Sequence, residues 1–227
     1  MSAAEDQARS LLATAGVGAP HVARLAKYVE LVLEANRKFN LTGARSVEQL
    51  VPHILDSLTV VPYVRPPYVD VGSGAGLPGI PVAIVTGART VLLEVTAKKA
   101  AFLEDVLVAL GVVADVVPSR AEDAGRRPEL RGQFASGTAR AIAFAPTALE
   151  LIAPLLAING VAILQRGTMG ADERAALAGA ALMLGCAVDA EIALEGDRRL
   201  VLVRKVSPTS DRYPRRSGVP EKRPLCG

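Results

Sequence analysis

The segment Asp70-Val71-Gly72-Ser73-Gly74-Ala75-Gly76-Leu77-Pro78-Gly79 restricts the fold of this chain more than any other stretch. Gly72, Gly74 and Gly76 sit at alternate positions directly after a short apolar run, residues 68–71. Glycine permits a tight turn and lets a bulky ligand approach the backbone where a side chain would collide. A turn of this kind after a strand belongs at the carboxyl edge of an open α/β sheet, where such sheets bind their ligands. The remaining pattern agrees. Further strands are expected over residues 91–94, 113–117 and 161–165, and helices over 98–110 and 142–156. Residues 186–194 and 199–206 suit a closing antiparallel pair around Glu195-Gly196-Asp197. The alternation predicts an α/β fold with a mostly parallel sheet and helices on both faces. Its weakest element is 134–140, because Ser136, Gly137 and Thr138 make a poor central strand by propensity.

Before the turn the sequence reads as helical. Leu11 and Leu12 precede a break at residues 16–20, and Leu25, Val29, Val32 and Leu33, with Tyr28 beside them, supply an apolar face. A further helix is expected over 47–60, burying Leu50, Ile54, Leu55 and Leu58. The predicted organisation is an N-terminal helical cap or flank (1–64), a main domain (65–206) and a basic C-terminal tail (207–227). Only 4% of the 227 residues are aromatic although 50% are hydrophobic, so the core must be built from Ala, Val, Leu and Ile. Early acids at Glu5 and Asp6, no signal-peptide hydrophobic stretch and no apolar run of transmembrane length predict a cytoplasmic protein without a membrane partner. Two cysteines, Cys186 and Cys226, agree with a reducing compartment.

The residues around the turn discriminate between cofactors. A dinucleotide fingerprint needs a third glycine at the sixth position from Gly72, where Leu77 stands, and no Gly-Lys-Ser or Gly-Lys-Thr follows to make a P-loop. A turn without phosphate-binding basic residues suits S-adenosylmethionine, which lacks a pyrophosphate. Glu94 closes the second strand 24 residues after Asp70, near the spacing at which an acid accepts hydrogen bonds from ribose hydroxyls. On this reading Glu94 clamps the ribose, Asp70 organises the turn or meets the cofactor's amino group, and Ala121 and Glu122 meet adenine. Solvated acids at strand ends are the plainer alternative for all three carboxylates. His21 and His53 lie 32 residues apart and the cysteines are isolated, so no metal-ligand spacing is present and no metal is expected.

The chain resembles the RsmG (GidB) family of bacterial 16S rRNA guanine-N7 methyltransferases. The resemblance is carried by Asn40-Leu41-Thr42, His53-Ile54-Leu55-Asp56-Ser57-Leu58, the glycine turn continued through Ile80-Pro81, Leu92-Leu93-Glu94, Lys98-Lys99 with Phe102-Leu103, Ser119-Arg120-Ala121-Glu122, and Arg212-Tyr213-Pro214-Arg215-Arg216. It implies a Rossmann-like, seven-stranded S-adenosylmethionine-dependent methyltransferase fold and methylation of a guanine in the 530 loop of small-subunit rRNA. It further implies that Asp70, Gly72, Ser73, Gly74, Gly76, Leu77, Glu94, Ala121, Glu122 and Arg140 hold the cofactor, and that Arg140 and Arg198 orient the substrate base or its phosphate. The chain departs from the family pattern at Ala135, Arg166 and Arg199.

Guanine N7 has a lone pair and no proton to lose, so no general base is required, in keeping with a chain whose two histidines stand in no readable triad. The tail carries Arg212, Arg215, Arg216, Lys222 and Arg223 against Asp211 and Glu221, which accounts for the whole formal charge of +3. Phosphate contacts are expected there, with Tyr213 stacking on a base, alongside Lys98, Arg166, Arg198 and Arg199 elsewhere; a solvated tail with no partner is the plainer alternative from composition alone. The expected partner is 16S rRNA or the small ribosomal subunit, met by a monomer. A small-molecule methyltransferase and a non-catalytic ribosome-associated protein remain open from the residues alone.

Overall fold

In chain order the elements are α1 (Ala3–Thr14), α2 (Ala19–Lys38), α3 (Val47–Leu58), β1 (Tyr68–Val71), α4 (Gly79–Thr86), β2 (Thr90–Leu93), α5 (Ala97–Leu110), β3 (Ala114–Val117), α6 (Ala121–Ala124), β4 (Phe134–Ala139), α7 (Ala145–Ile152), β5 (Leu156–Arg166), α8 (Ala171–Met183), β6 (Cys186–Ala193), β7 (Arg199–Lys205) and α9 (Val219–Lys222). They come from a computed structural model that describes residues 2–140, 142 and 144–227. The strands form a seven-stranded sheet of order β3-β2-β1-β4-β5-β7-β6. β2 runs parallel to β3, and β1, β4 and β5 run parallel to one another, while β7 is antiparallel to both β5 and β6. This is the expected mostly parallel α/β sheet with its antiparallel closing pair. Among the described residues no helix is long and apolar enough to cross a membrane.

The chain divides into two compact units, one of Met1–Pro62 and Ser73–Pro118, the other of Tyr63–Gly72 and Ser119–Gly227. The expected segments are thus distributed: helices α1 to α3 share a unit with α4, β2, α5 and β3, and the tail shares one with β4 to β7. In the first unit, Ser2 and Ser46 cap α1 and α3 by accepting the Glu5 and Gln49 N–H groups through their hydroxyls. The apolar stripe of α2 is buried as its period predicts, with Leu25, Val29 and Val32 fully enclosed beside Leu50 and Ile54 of α3.

In the second unit, the helix expected over 142–156 is shorter, and residue 143 lies outside the described residues. α7 starts at Ala145 with Pro146 in its first turn, and its helical register stops at Ile152 before a 3₁₀ turn containing Pro154. Proline removes the N–H a continuing helix would need. β5 consequently begins at Leu156, earlier than the 161–165 expected, with a register shift in its partner between Phe134 and Ser136.

β4 is central despite its poor propensity, because each small residue has a packing or bonding task. Ser136 Oγ donates to Arg65 O and accepts from Arg65 N, and Thr138 Oγ1 donates to Asp70 Oδ1 at 2.8 Å. A Cβ on Gly137 would lie 2.8 Å from Ile152 Cγ2 and 3.1 Å from Val69 Cγ1, both side chains being fully buried. Gly137→Ala is therefore expected to destabilise the protein by about 1–3 kcal/mol through overpacking, read as a lower urea midpoint with an unchanged m-value.

Lys205 on β7 is 2% exposed and donates to Ala153 O, Leu184 O and Thr209 Oγ1. Burial lowers its pKa from 10.5 to about 8. Between those values the unfolded chain binds the extra proton, so stability rises with pH. The opposing group is Cys186, paired with Lys205 across β6 and β7, whose thiol burial raises from 9.0 to about 11. Its contribution falls with pH only above about 9. Stability measured from pH 7.5 to 9 should thus rise by about 1 kcal/mol, and Lys205→Met should remove the slope.

Candidate functional site

Residues 73–79 of the glycine turn lie within the first compact unit. Ser73 N–H donates to Leu93 O at 3.0 Å, and Ser73 O accepts from Gly76 N at 2.7 Å and Leu77 N at 3.1 Å. Gly76 has a φ of +98°, and a Cβ there would lie 2.5 Å from Ile80 Cδ1 and 3.0 Å from the Tyr28 hydroxyl oxygen. Only glycine fits both the conformation and the space. Tyr28, fully buried on α2, donates that hydroxyl to Ala75 O at 2.7 Å. A helix of the N-terminal segment thereby fixes the backbone of the turn. Gly72, with a φ of +72°, would meet nothing within 4 Å of an added Cβ, so its surroundings are open.

Glu94 directly follows β2 and is 5% exposed. Its Oε2 accepts from Gly74 N at 2.9 Å and its Oε1 from Thr96 N at 2.7 Å. Glu94 thus helps to organise the turn, because the residue after β2 reaches the peptide N–H of the turn's second glycine. Each carboxylate oxygen keeps a second lone pair for a ligand hydroxyl.

In the second unit, Asp70 is 1% exposed near the end of β1 and accepts from Thr138. Thr138 also bonds the Tyr68 hydroxyl, and burial together with the Asp70 charge raises the Tyr68 pKa, so this phenol stays protonated. Ala121 opens α6, and Glu122 Oε1 accepts from Gly218 N at 2.8 Å, which ties this short helix to the tail. Arg140 follows β4 and is half-buried.

The residues expected to meet RNA fall into two groups. Lys98, Arg198, Arg212 and Arg216 are exposed. Arg166 instead donates to Ile142 O and pairs with Glu173 at 2.6 Å, and Arg199 donates to Gly167 O and pairs with Glu191. Arg174 and Arg199 together hold the Glu191 carboxyl down at about 2.

The tail corrects the sequence reading most. Tyr213 is 3% exposed, with the Arg212 guanidinium 4.8 Å from its ring centroid, so its ring is not presented to a base. Arg215 is not a free phosphate ligand: its main-chain N, Nε and Nη2 all donate to Glu150, a fully buried carboxylate on α7. Arg131 donates to Tyr213 O and Thr209 O, and Arg126 to Pro214 O. The arginines that the tail needs for docking lie in both partners, and spacing along the chain cannot say which of them are consumed.

Tyr28, Thr138 and Glu150 were not singled out as functional from the sequence. Each is a polar group in a run read as core or strand, and the only signal was that polarity. Within the first unit the acceptors suit ligand hydroxyls rather than a phosphate: Glu94 is a buried acid, and residues 73–79 contain no Lys or Arg.

Residues 21–201 match the family model described as rRNA small subunit methyltransferase G (GidB). The ribosomal RNA small subunit methyltransferase G of Pelotomaculum thermopropionicum is 37% identical over 90% of this chain and 90% of its own length. The protein of the same name from Rubrobacter xylanophilus is 39% identical over 87% of this chain and 81% of its own. Among solved structures, the fold is shared with a geranyl diphosphate methyltransferase in complex with GPP and sinefungin (TM-score 0.58, 12% identity, 70% of this chain and 81% of that one). It is also shared with a mutant of MtNAS in complex with S-adenosylmethionine (TM-score 0.54, 18% identity, 89% and 84%).

Proposed function

The chain belongs to the rRNA small subunit methyltransferase G (GidB) family, and from that premise we propose that it transfers a methyl group from S-adenosylmethionine to small-subunit ribosomal RNA, at N7 of a guanine in the 530 loop. The observation that carries the reading is Glu94, a buried carboxylate bonded to Gly74 N inside a turn that bears no cation. Glu94 and the backbone of residues 72–77 would hold the ribose and methionine moieties, Asp70 and Thr138 would order the end of β1, and Ala121 and Glu122 would face adenine. The cofactor, when bound, supplies an electrophilic methyl group on a sulfonium.

With guanine N7 as acceptor, the transfer would break the S–CH3 bond and release S-adenosylhomocysteine, and the residues around the base would have no proton to remove. The protein's work is therefore orientation and exclusion of water. Arg140 and Arg198 are suited to grip guanine O6 or a phosphate through the rigid guanidinium fork. A guanidinium set over N7 would oppose the positive charge the ring gains, so both arginines orient the substrate and neither transfers a proton.

The test is incubation with labelled S-adenosylmethionine and undermethylated small-subunit rRNA, free or assembled with ribosomal proteins, with small methyl acceptors in parallel. Label in the 530 loop is the expected result. Turnover on small acceptors with none on RNA would replace it with a small-molecule methyltransferase.

A further inference from the structure

We propose that the end of α2 and the loop after it form a second RNA-binding surface, built on Arg37, Lys38 and Arg45, that holds a single-stranded stretch of the rRNA substrate. The proposal rests on the rRNA reading above and adds to it a place on the chain where no RNA contact was expected except at Lys98.

Two cavities flank the last turn of α2. One, of about 410 Å³, is lined by Leu33, Asn36, Arg37, Asn40 and Arg45, with two guanidinium groups, two amides and no acid. The other, of about 620 Å³, lies along α2 and α5 and has the edge-to-face pair Phe39 and Phe102 in its wall, with Lys38 and Lys98 among its lining cations. Its acids, Glu34 and Asp105, stand one turn before Lys38 on α2 and two turns beyond Lys98 on α5. Basic charge is therefore concentrated at the α2 C-terminal end, where the two cavities share adjacent residues.

The loop is prepared for this. Buried Asn36 accepts from Leu41 N and Thr42 N and donates to Ala44 O, which pins residues 41–44. Arg45 is held by hydrogen bonds to Asn36 O and Asn40 Oδ1, leaving three of its five N–H donors for a ligand. Earlier in the same helical segment Arg9 and Lys27 are ion-paired with Glu5 and Glu30. Among the described residues no carboxylate lies within ion-pair distance of Arg37, Lys38 or Arg45, and all three are exposed.

Favourable charge at a helix C-terminus explains part of the cluster, but the dipole there amounts to about half a negative charge against three full positive ones. Glu34, one turn before Lys38, offsets part of that charge, and the guanidinium groups of Arg37 and Arg45 remain available to an anion. Guanidinium groups beside a groove whose wall shows half-buried Phe39, with Phe102 buried behind it, match a chain of phosphates with an apolar edge to lie on, which single-stranded RNA offers.

The experiment measures binding of a 530-loop RNA fragment to the full chain as a function of salt, with S-adenosylmethionine affinity as a parallel readout. The variant Arg37→Ala/Lys38→Ala removes two exposed cations whose side chains make no hydrogen bond among the described residues. It should weaken RNA binding by roughly tenfold at low salt and reduce the slope of log K against log salt by about 1.4, at 0.7 per single-strand contact. Cofactor affinity should not change. Arg45→Lys, which keeps the charge and loses the fork, should retain the slope with weaker affinity. RNA affinity and slope equal to wild type in Arg37→Ala/Lys38→Ala would overturn the proposal while leaving the methyltransferase reading intact. A wild-type protein that neither binds nor methylates the RNA would instead overturn that reading. Displacement of the RNA by poly-glutamate as effective as by competing single-stranded RNA would reassign the surface to an acidic protein segment.

Discussion

Glu94→Ala is expected to weaken S-adenosylmethionine binding by roughly 10²–10⁴-fold, the equivalent of two hydrogen bonds to a charged acceptor at about 1.5–3 kcal/mol each. The carboxylate stands at two tasks at once. It accepts from Gly74 N and Thr96 N, which sets the turn, and its remaining lone pairs are the natural acceptors for ribose hydroxyls. Alanine removes both. Glutamine keeps one carbonyl acceptor and places an amide donor against the other N–H, so Glu94→Gln should fall between wild type and alanine. Isothermal titration with the cofactor reads the effect directly, and far-UV circular dichroism checks that the sheet persists. An alanine variant within threefold of wild type would remove Glu94 from the cofactor site.

The second large effect concerns the tail. Arg215→Ala strips two donors, Nε and Nη2, from a carboxylate with no exposure to water and leaves Glu150 largely uncompensated in the second compact unit. Breaking a buried pair on one side costs about 3–5 kcal/mol, which for a chain of this size lowers the melting temperature by roughly 6–20 °C. The main-chain donor of residue 215 survives the substitution and moderates the loss toward the lower figure. Replacing both partners, as in Glu150→Leu/Arg215→Met, should recover much of the stability because no charge is then buried alone. Arg216→Ala, at an exposed arginine, should leave the melting temperature within about 1 °C and affect only salt-sensitive RNA binding. Equal thermal effects at 215 and 216 would contradict this division of the tail.

That division shows where reading the sequence succeeds and where it stops. The strand–turn–strand logic was legible because glycine spacing and short apolar runs are local signals, and so was the closing pair of β6 and β7. The cofactor chemistry was legible from an absence of cations in 70–79 and an acid after the second strand. What stayed hidden depends on partners far apart in the chain. Thr138 weakens a strand by propensity, yet it is the donor that Asp70 receives 68 residues away. Tyr28 reads as core, yet its hydroxyl supports Ala75 across 47 residues. Arg215 reads as a phosphate ligand until Glu150, 65 residues earlier, is found beneath it. Charge composition counts such residues but cannot say which are already neutralised.

The most direct test of guanine-N7 transfer is the position of the new methyl group on the base. Methylation at N7 makes the glycosidic bond labile after borohydride reduction, so aniline then cleaves the RNA strand at that nucleotide. Small-subunit rRNA from an undermethylated source, treated with this protein and S-adenosylmethionine, should acquire one cleavage site, at a guanine in the 530 loop, and Glu94→Ala should not produce it. Methyl incorporation without cleavage, which places the group on an amine or a ribose, would contradict transfer to N7.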